Sequence, residues 1–134
     1  VTVVDASVWT SRFVPQDVHH TVSRTWLGHY LQSGQPLFAP YVLLSEVAGA
    51  AFRRTGSAQL AQGAIRVLLQ VKQLYLLPID SAVGLGAAIL AANNGLGGAD
   101  ALYVEIARRL TVPLVTWDHN QLARASTFVA ARSP

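Results

Sequence analysis

The sequence predicts an α/β fold in which a parallel sheet is covered by helices on both faces. Two observations carry this. Short apolar, β-branched runs alternate along the chain with longer stretches whose apolar residues recur at helical spacing. The runs are apolar throughout instead of alternating with polar residues, as expected of strands buried on both faces. A third observation locates a site. Asp5 and Asp118 come directly after two of these runs, and ligands of parallel α/β sheets bind beyond the carboxyl ends of the strands.

Residues 1–4 (VTVV) form the first strand, which ends at Asp5. Residues 6–13 make a short helix or turn packing Val8, Trp9 and Phe13 inward. Pro15-Gln16-Asp17 opens the next helix, with Asp17 as N-cap. It runs to about Gln32, buries Val18, Val22, Trp26 and Tyr30, and stops at Ser33-Gly34. Residues 37–39 are a second strand, closed by Pro40. A helix over 42–54 is apolar almost all round apart from Ser45 and Glu46, and Thr55-Gly56-Ser57 breaks it. A helix over 58–73 gathers Leu60, Ala64, Val67, Leu68 and Val71 on one face. Residues 74–79 are the third strand, and Asp80 caps a helix that ends at Asn93-Asn94-Gly95. Gly97-Gly98 leads into an amphipathic helix over 99–110, with Asp100 in its first turn and Glu105 facing solvent. Residues 112–116 are the fourth strand, 121–125 a short helix, and the last strand lies near Phe128-Val129.

A chain of 134 residues suits one domain. The absence of cysteine excludes disulfides and thiolate zinc sites. The longest apolar stretch, residues 82–92, is too short for a bilayer span, which takes about 20 residues. The first residues lack the charged and apolar regions of a signal peptide. The expectation is a cytoplasmic protein with no membrane partner. A net charge of +3 favours an anionic partner such as nucleic acid.

Acids are scarce: Asp5, Asp17, Glu46, Asp80, Asp100, Glu105 and Asp118 are all seven. Asp17 and Asp80 read as N-caps and Glu105 as a surface residue. The other four each have a structural alternative. Asp5 suits an N-cap, Asp100 a partner of the helix dipole, Asp118 a turn, and Glu46 the surface of an irregular helix. Yet Glu46 sits among Leu43, Val47, Ala50 and Phe52, with no basic residue three or four positions away. Buried acids are rare unless paired or bound to metal. Four converging carboxylates repel one another unless something neutralises them. Hard oxygen donors of this kind suit Mg²⁺ or Mn²⁺ and not zinc. Such an ion activates water and offsets charge on an attacked phosphate.

Four segments carry a family resemblance. They are Val3-Val4-Asp5-Ala6-Ser7-Val8, Pro40 through Leu44-Ser45-Glu46-Val47, Gly98-Ala99-Asp100-Ala101-Leu102-Tyr103, and Val115-Thr116-Trp117-Asp118. In order and spacing the chain resembles the PIN domain family over essentially its whole length, most closely the small VapC-type ribonucleases. The resemblance implies a three-layer α/β/α fold with a mostly parallel five-stranded sheet. It implies that Asp5, Glu46, Asp100 and Asp118 form the catalytic, metal-binding cluster for Mg²⁺ or Mn²⁺. Thr116 matches the family's Ser/Thr that orders water or phosphate, and Ser7 falls beside the same site. One position departs: Asn120 stands where many members carry a further Asp, leaving one negative charge fewer. The activity implied is an endoribonuclease cutting RNA, the toxin of a toxin–antitoxin pair. A homodimer held inactive by an antitoxin protein is implied with it. The alternatives are a PIN nuclease outside such a system, or a catalytically weak PIN-like module that binds RNA or protein.

Other residues admit two readings. Arg12, Arg24, Arg124 and the pairs Arg53-Arg54 and Arg108-Arg109 are candidate phosphate contacts. Both pairs equally complement helix C-terminal dipoles. His19, His20 and His119 read better as surface residues than as ligands or bases. Trp117 is placed to stack on a base, although an aromatic at a strand end is more often core. The apolar residues Trp26, Tyr30 and Leu31, with the helix face from Leu60 to Val71, suggest a dimer surface. Other α/β enzymes fit poorly. A haloacid-dehalogenase phosphatase needs Asp-x-Asp after the first strand, where this chain has Asp5-Ala6-Ser7. A receiver domain needs a late lysine, and the sole lysine is Lys72. A dinucleotide site needs Gly-x-Gly-x-x-Gly after a strand, whereas Gly95-Leu96-Gly97-Gly98 follows a predicted helix.

Overall fold

The computed structural model describes residues 1–134. Its strands are β1 (Thr2–Val4), β2 (Leu37–Pro40), β3 (Leu74–Leu77), β4 (Leu114–Val115) and β5 (Ala131–Arg132). Its seven helices are α1 (Ala6–Phe13), α2 (His20–Gln32), α3 (Leu43–Thr55), α4 (Ala58–Gln70), α5 (Ser81–Asn94), α6 (Gly98–Leu110) and α7 (His119–Ala125). The strands form one sheet in the order β3-β2-β1-β4-β5, and every pair is parallel. The predicted α/β fold with a five-stranded parallel sheet is the fold observed.

β1 is the middle strand, and Val3 and Val4 are completely buried. α6 packs against β1, β2 and β4, turning Ala101, Tyr103, Val104, Ile106 and Ala107 into the core. α5 packs on α6, α1 on α2 and α3, and α3 on α4. From β1 the chain goes to β2 and β3 on one side, then crosses back to β4 and β5 on the other. That reversal opens a crevice between the carboxyl ends of β1 and β4. Asp5 follows β1 there, and Thr116-Trp117-Asp118 follow β4. Gly56 and Gly95 end α3 and α5 in the left-handed conformation, as their stop signals predict.

Several local expectations need correction. α2 starts at His20, and Asp17 is not its cap. The Asp17 carboxylate instead accepts from the His19 backbone N–H at 2.7 Å and pairs with Arg54 of α3. Val18 is 87% exposed and Val22 47% exposed; the buried residues of α2 are Ser23 and Leu27, with Trp26 and Tyr30 partly buried. On α4 the buried residues are Ala61, Ala64 and Leu68, while Val67 is exposed. The last strand is not at Phe128-Val129. Both of those N–H groups bond to Ala125 O, at 2.8 and 3.0 Å, winding a turn off α7 before β5 begins. Glu105 does not face solvent: it is 0% exposed, held by Arg108 and Arg109.

Candidate functional site

The turns after β1 and β4 are stitched together by hydroxyl groups. Asp5 is the N-cap of α1, and its Oδ2 accepts from Ser7 N at 2.9 Å and from Thr116 Oγ1 at 3.2 Å. Thr116 Oγ1 in turn accepts from Asp118 N at 3.0 Å and lies 3.2 Å from Ser7 Oγ. Because the Thr116 proton goes to Asp5, the Ser7 hydroxyl is the donor of that pair. Ser7 Oγ also accepts from Trp117 N at 3.0 Å. Thr116 is fully buried with its donor and both lone pairs taken, and it does not line the cavity beside it.

Glu46 arrives from the first turn of α3 and is half-buried. Its Oε2 accepts from the Tyr103 hydroxyl at 2.7 Å. Tyr103 comes from α6 and is completely buried. Asp100 lies in the first turn of the same helix. A Cβ at Gly97 would stand 3.1 Å from Asp100 Oδ2, so a side chain there would crowd the carboxylate. Asp118 is exposed and caps α7, accepting from Gln121 N at 2.7 Å. Gln121 is completely buried, and its Nε2 donates to Asp100 O at 3.2 Å, tying α7 to the start of α6. Its Oε1 has no partner.

All four carboxylates singled out by the sequence line one open cavity of about 660 Å³. Ser7, Asp17, His19, Arg53, Arg54 and Trp117 line it with them. No three Asp, Glu or His side chains stand close enough, as placed, to form the shell of a single ion. The donor chemistry nevertheless fits a hard divalent cation, because the four singled-out donors are all carboxylates and none of them has a cationic partner. The cavity's one cation–carboxylate pair is Arg54 with Asp17, off to the side. Burial, then the charges of Asp5 and Asp118, push the Asp100 carboxyl up to about 6. Burial also raises Glu46, and Asp5 and Asp100 add to it against the Tyr103 hydrogen bond. Asp5 is raised by burial against the hydrogen bonds it accepts. Burial and the neighbouring carboxylates raise the Tyr103 hydroxyl as well, so it remains a donor to Glu46.

The remaining candidates scatter. Arg108 and Arg109 belong to Glu105, and Arg124 donates to Asn94 O at the end of α5 and to Asn120 Oδ1. His20 Nδ1 lies 2.9 Å from Ser11 O, and His119 is exposed. Sequence reasoning overlooked the roles of Tyr103 and Gln121 in holding acidic residues. The helical spacing of Tyr103 with the apolar stripe masks its hydroxyl, and Gln121 carries no sequence signal at all.

The profile of the PIN domain family matches residues 2–126. No curated protein matches the sequence significantly. Among solved structures, the chain is similar to Mycobacterium tuberculosis VapC20, described as a sarcin–ricin loop cleaving toxin. The identity is 18% and the TM-score 0.78, over 98% of this chain and 99% of that one. It is also similar to a chain of FitAB bound to the IR36 DNA fragment, at 20% identity and a TM-score of 0.66, over 100% and 95%. At these identities the structural likeness speaks for the fold.

Proposed function

The chain belongs to the PIN domain family, and from that premise we propose that it is a Mg²⁺- or Mn²⁺-dependent endoribonuclease, the toxin of a toxin–antitoxin pair. One observation carries the reading. Asp5, Glu46, Asp100 and Asp118 share one cavity at the switch point of the sheet, without cationic partners. Those four residues would hold the ion. When bound, it lowers the pKa of water and offsets charge on the attacked phosphate.

The chain's own groups prepare that site. Ser7 and Thr116 fix the Asp5 carboxylate and splice the turns after β1 and β4. Thr116 is thereby a positioning residue, since an oxygen with every hydrogen-bonding capacity used has none left for water or phosphate. Tyr103 holds Glu46 toward the cavity from the core side. Burial, with the neighbouring carboxylates adding to it, raises the carboxyls of Asp100 and Glu46, as expected where acids are gathered in a half-buried cluster. Asn120 bonds Arg124 and takes no part in lining the cavity.

The toxin role is supported by likeness to VapC20 along nearly the full length of both chains. An antitoxin inserting an arginine or lysine into the cavity would pair with the acids and compete with the ion. We further assign a homodimer and move its surface from Trp26, Tyr30 and Leu31 to α5; on α4, the other face that the sequence suggested, Val67 (40%) and Leu69 (59%) are exposed. Trp26, Tyr30 and Leu31 pack partly against the core. α5, with no charged residue in its 14, exposes Leu85 (65%) and Ile89 (52%). An uncharged apolar face is best covered by a copy of itself.

The direct test is sequencing of RNA 5′ ends after brief expression of the wild type beside an Asp5→Ala control. Ends present in both would refute the nuclease. Full activity of a complex with the neighbouring gene product would refute the antitoxin. Light scattering giving a mass near the chain's own 14.3 kDa would refute the dimer.

A further inference from the structure

We propose that the stacked rings of His19 and Trp117 form a nucleobase-binding wall beside the acidic cavity, taking an unpaired base of single-stranded RNA next to the scissile phosphate. This deepens the ribonuclease reading and rests on it. The ring centroids lie 3.8 Å apart with an interplanar angle of 7°. The other two aromatic pairs, Trp26–Tyr30 and Phe38–Tyr75, are tilted by 33° and 32° at 5.1 and 5.5 Å. Only the His19–Trp117 pair lines the cavity that holds the four acids. Trp117 stands between Thr116 and Asp118, so its indole is one residue from a proposed metal ligand.

The wall is held from behind. Trp117 Nε1 donates to Ser23 Oγ at 2.7 Å, and its backbone N–H donates to Ser7 Oγ at 3.0 Å. The His19 backbone N–H donates to Asp17 Oδ1 at 2.7 Å, and Arg54 anchors Asp17 to α3. The His19 ring stacks on the indole and makes no hydrogen bond within the protein. Rings serving only to pack a loop would be covered, but both remain partly exposed at the cavity. A flat aromatic surface fixed before binding costs little ordering when a base settles on it. Stacking is also indifferent to base identity, since every base has a π-face. A strand whose phosphate meets the acids carries its adjoining base past this wall.

The test compares a fluorescein-labelled decaadenylate with an abasic ribose–phosphate decamer of equal charge, by anisotropy in Ca²⁺ with the full-length protein. Wild type is expected to bind the decaadenylate about tenfold more tightly, the low end for one base–aromatic stack. His19→Ala should weaken that preference by at least about half, with the bared Trp117 face keeping the remainder, and His19→Phe should restore it in full. An undiminished preference in His19→Ala overturns the wall, as does failure of His19→Phe to restore it. Wild type that cleaves RNA in a metal-dependent way yet binds both decamers equally overturns the wall alone. Wild type that neither cleaves nor binds overturns the ribonuclease reading and the wall together.

Discussion

Two acids on one helix, one half-buried and one fully buried, have opposite environments. Asp100, in the first turn of α6, faces Asp5 and Asp118 and is pushed up to about 6. Glu105, near the other end, is completely buried yet held below its ordinary range. Burial pushes Glu105 up, but hydrogen bonds from Arg108 and Arg109 outweigh it. Arg108 spans both Glu105 oxygens at 2.9 and 3.0 Å, and Arg109 Nε reaches Oε1 at 2.5 Å. α5 makes room for this with Gly86, where a Cβ would stand 2.3 Å from Glu105 Oε1. A buried acid that serves the fold is given its cations within the chain. One left among other acids is, in the function proposed above, kept for a cation or substrate from outside.

The sharpest way to break this contrast is to neutralise each acid's surroundings separately. Asp100→Asn is expected to cut metal-dependent RNA cleavage by more than about 100-fold, beyond the usual effect of losing an outer-sphere partner. Its melting temperature in EDTA should be unchanged or higher, because a repulsive charge is gone. Single-turnover cleavage and thermal melts on one preparation read both. Cleavage equal to wild type would remove Asp100 from the site.

At the other end of α6 the expectation reverses. Replacing Arg108 and Arg109 together by Ala strands the Glu105 carboxylate, at a cost of about 2 kcal/mol. That is below the usual penalty for a buried charge, because trimming both side chains lets water in. Glu105→Gln should cost less, since it leaves only exposed cations behind. Urea unfolding checks the order, and cleavage by the folded variants should match wild type. A smaller effect is expected at Tyr103→Phe, which removes the bond to Glu46 but little volume. Mn²⁺ affinity by calorimetry should fall about tenfold. An unchanged affinity would reduce Tyr103 to packing.

What the sequence revealed follows the same division. Asp5 and Asp118 were legible because strand ends in a parallel sheet fix where side chains gather. Glu46 was legible because no cation lies within a helical turn of it. Glu105 does have cations three and four residues on, but Arg108-Arg109 read equally well as partners of the helix dipole. Its niche depends on Gly86 from another helix, which no local pattern announces. The start of α2 failed for a related reason. Asp17 has the chemistry of an N-cap, but a competing partner, Arg54, lies 37 residues away and comes close only in the folded chain.

The smallest expected effect is a pH dependence that follows from Asp100. Its folded pKa, about 6, lies above its ordinary value of 3.8. Between those values the folded protein binds more protons at this position than the unfolded chain does. Stability of the metal-free protein should therefore fall as pH rises from about 4 to 6, and this contribution levels off above. Partial exposure of Asp100 lets solvent screen the effect, so it should appear as a modest slope. Glu105 works in the opposite sense: its folded pKa is lowered, so its contribution is present near neutrality and lost as acid protonates it. Asp5 and Glu46, also raised by burial, add slopes of the same sign, so Asp100→Asn should reduce the downward slope between pH 4 and 6 without abolishing it, and leave the acid-side loss from Glu105 intact. Urea unfolding in EDTA across that range separates the two. A wild-type slope that survives Asp100→Asn unchanged would mean that the charge of Asp100 is not the one left uncompensated in the fold.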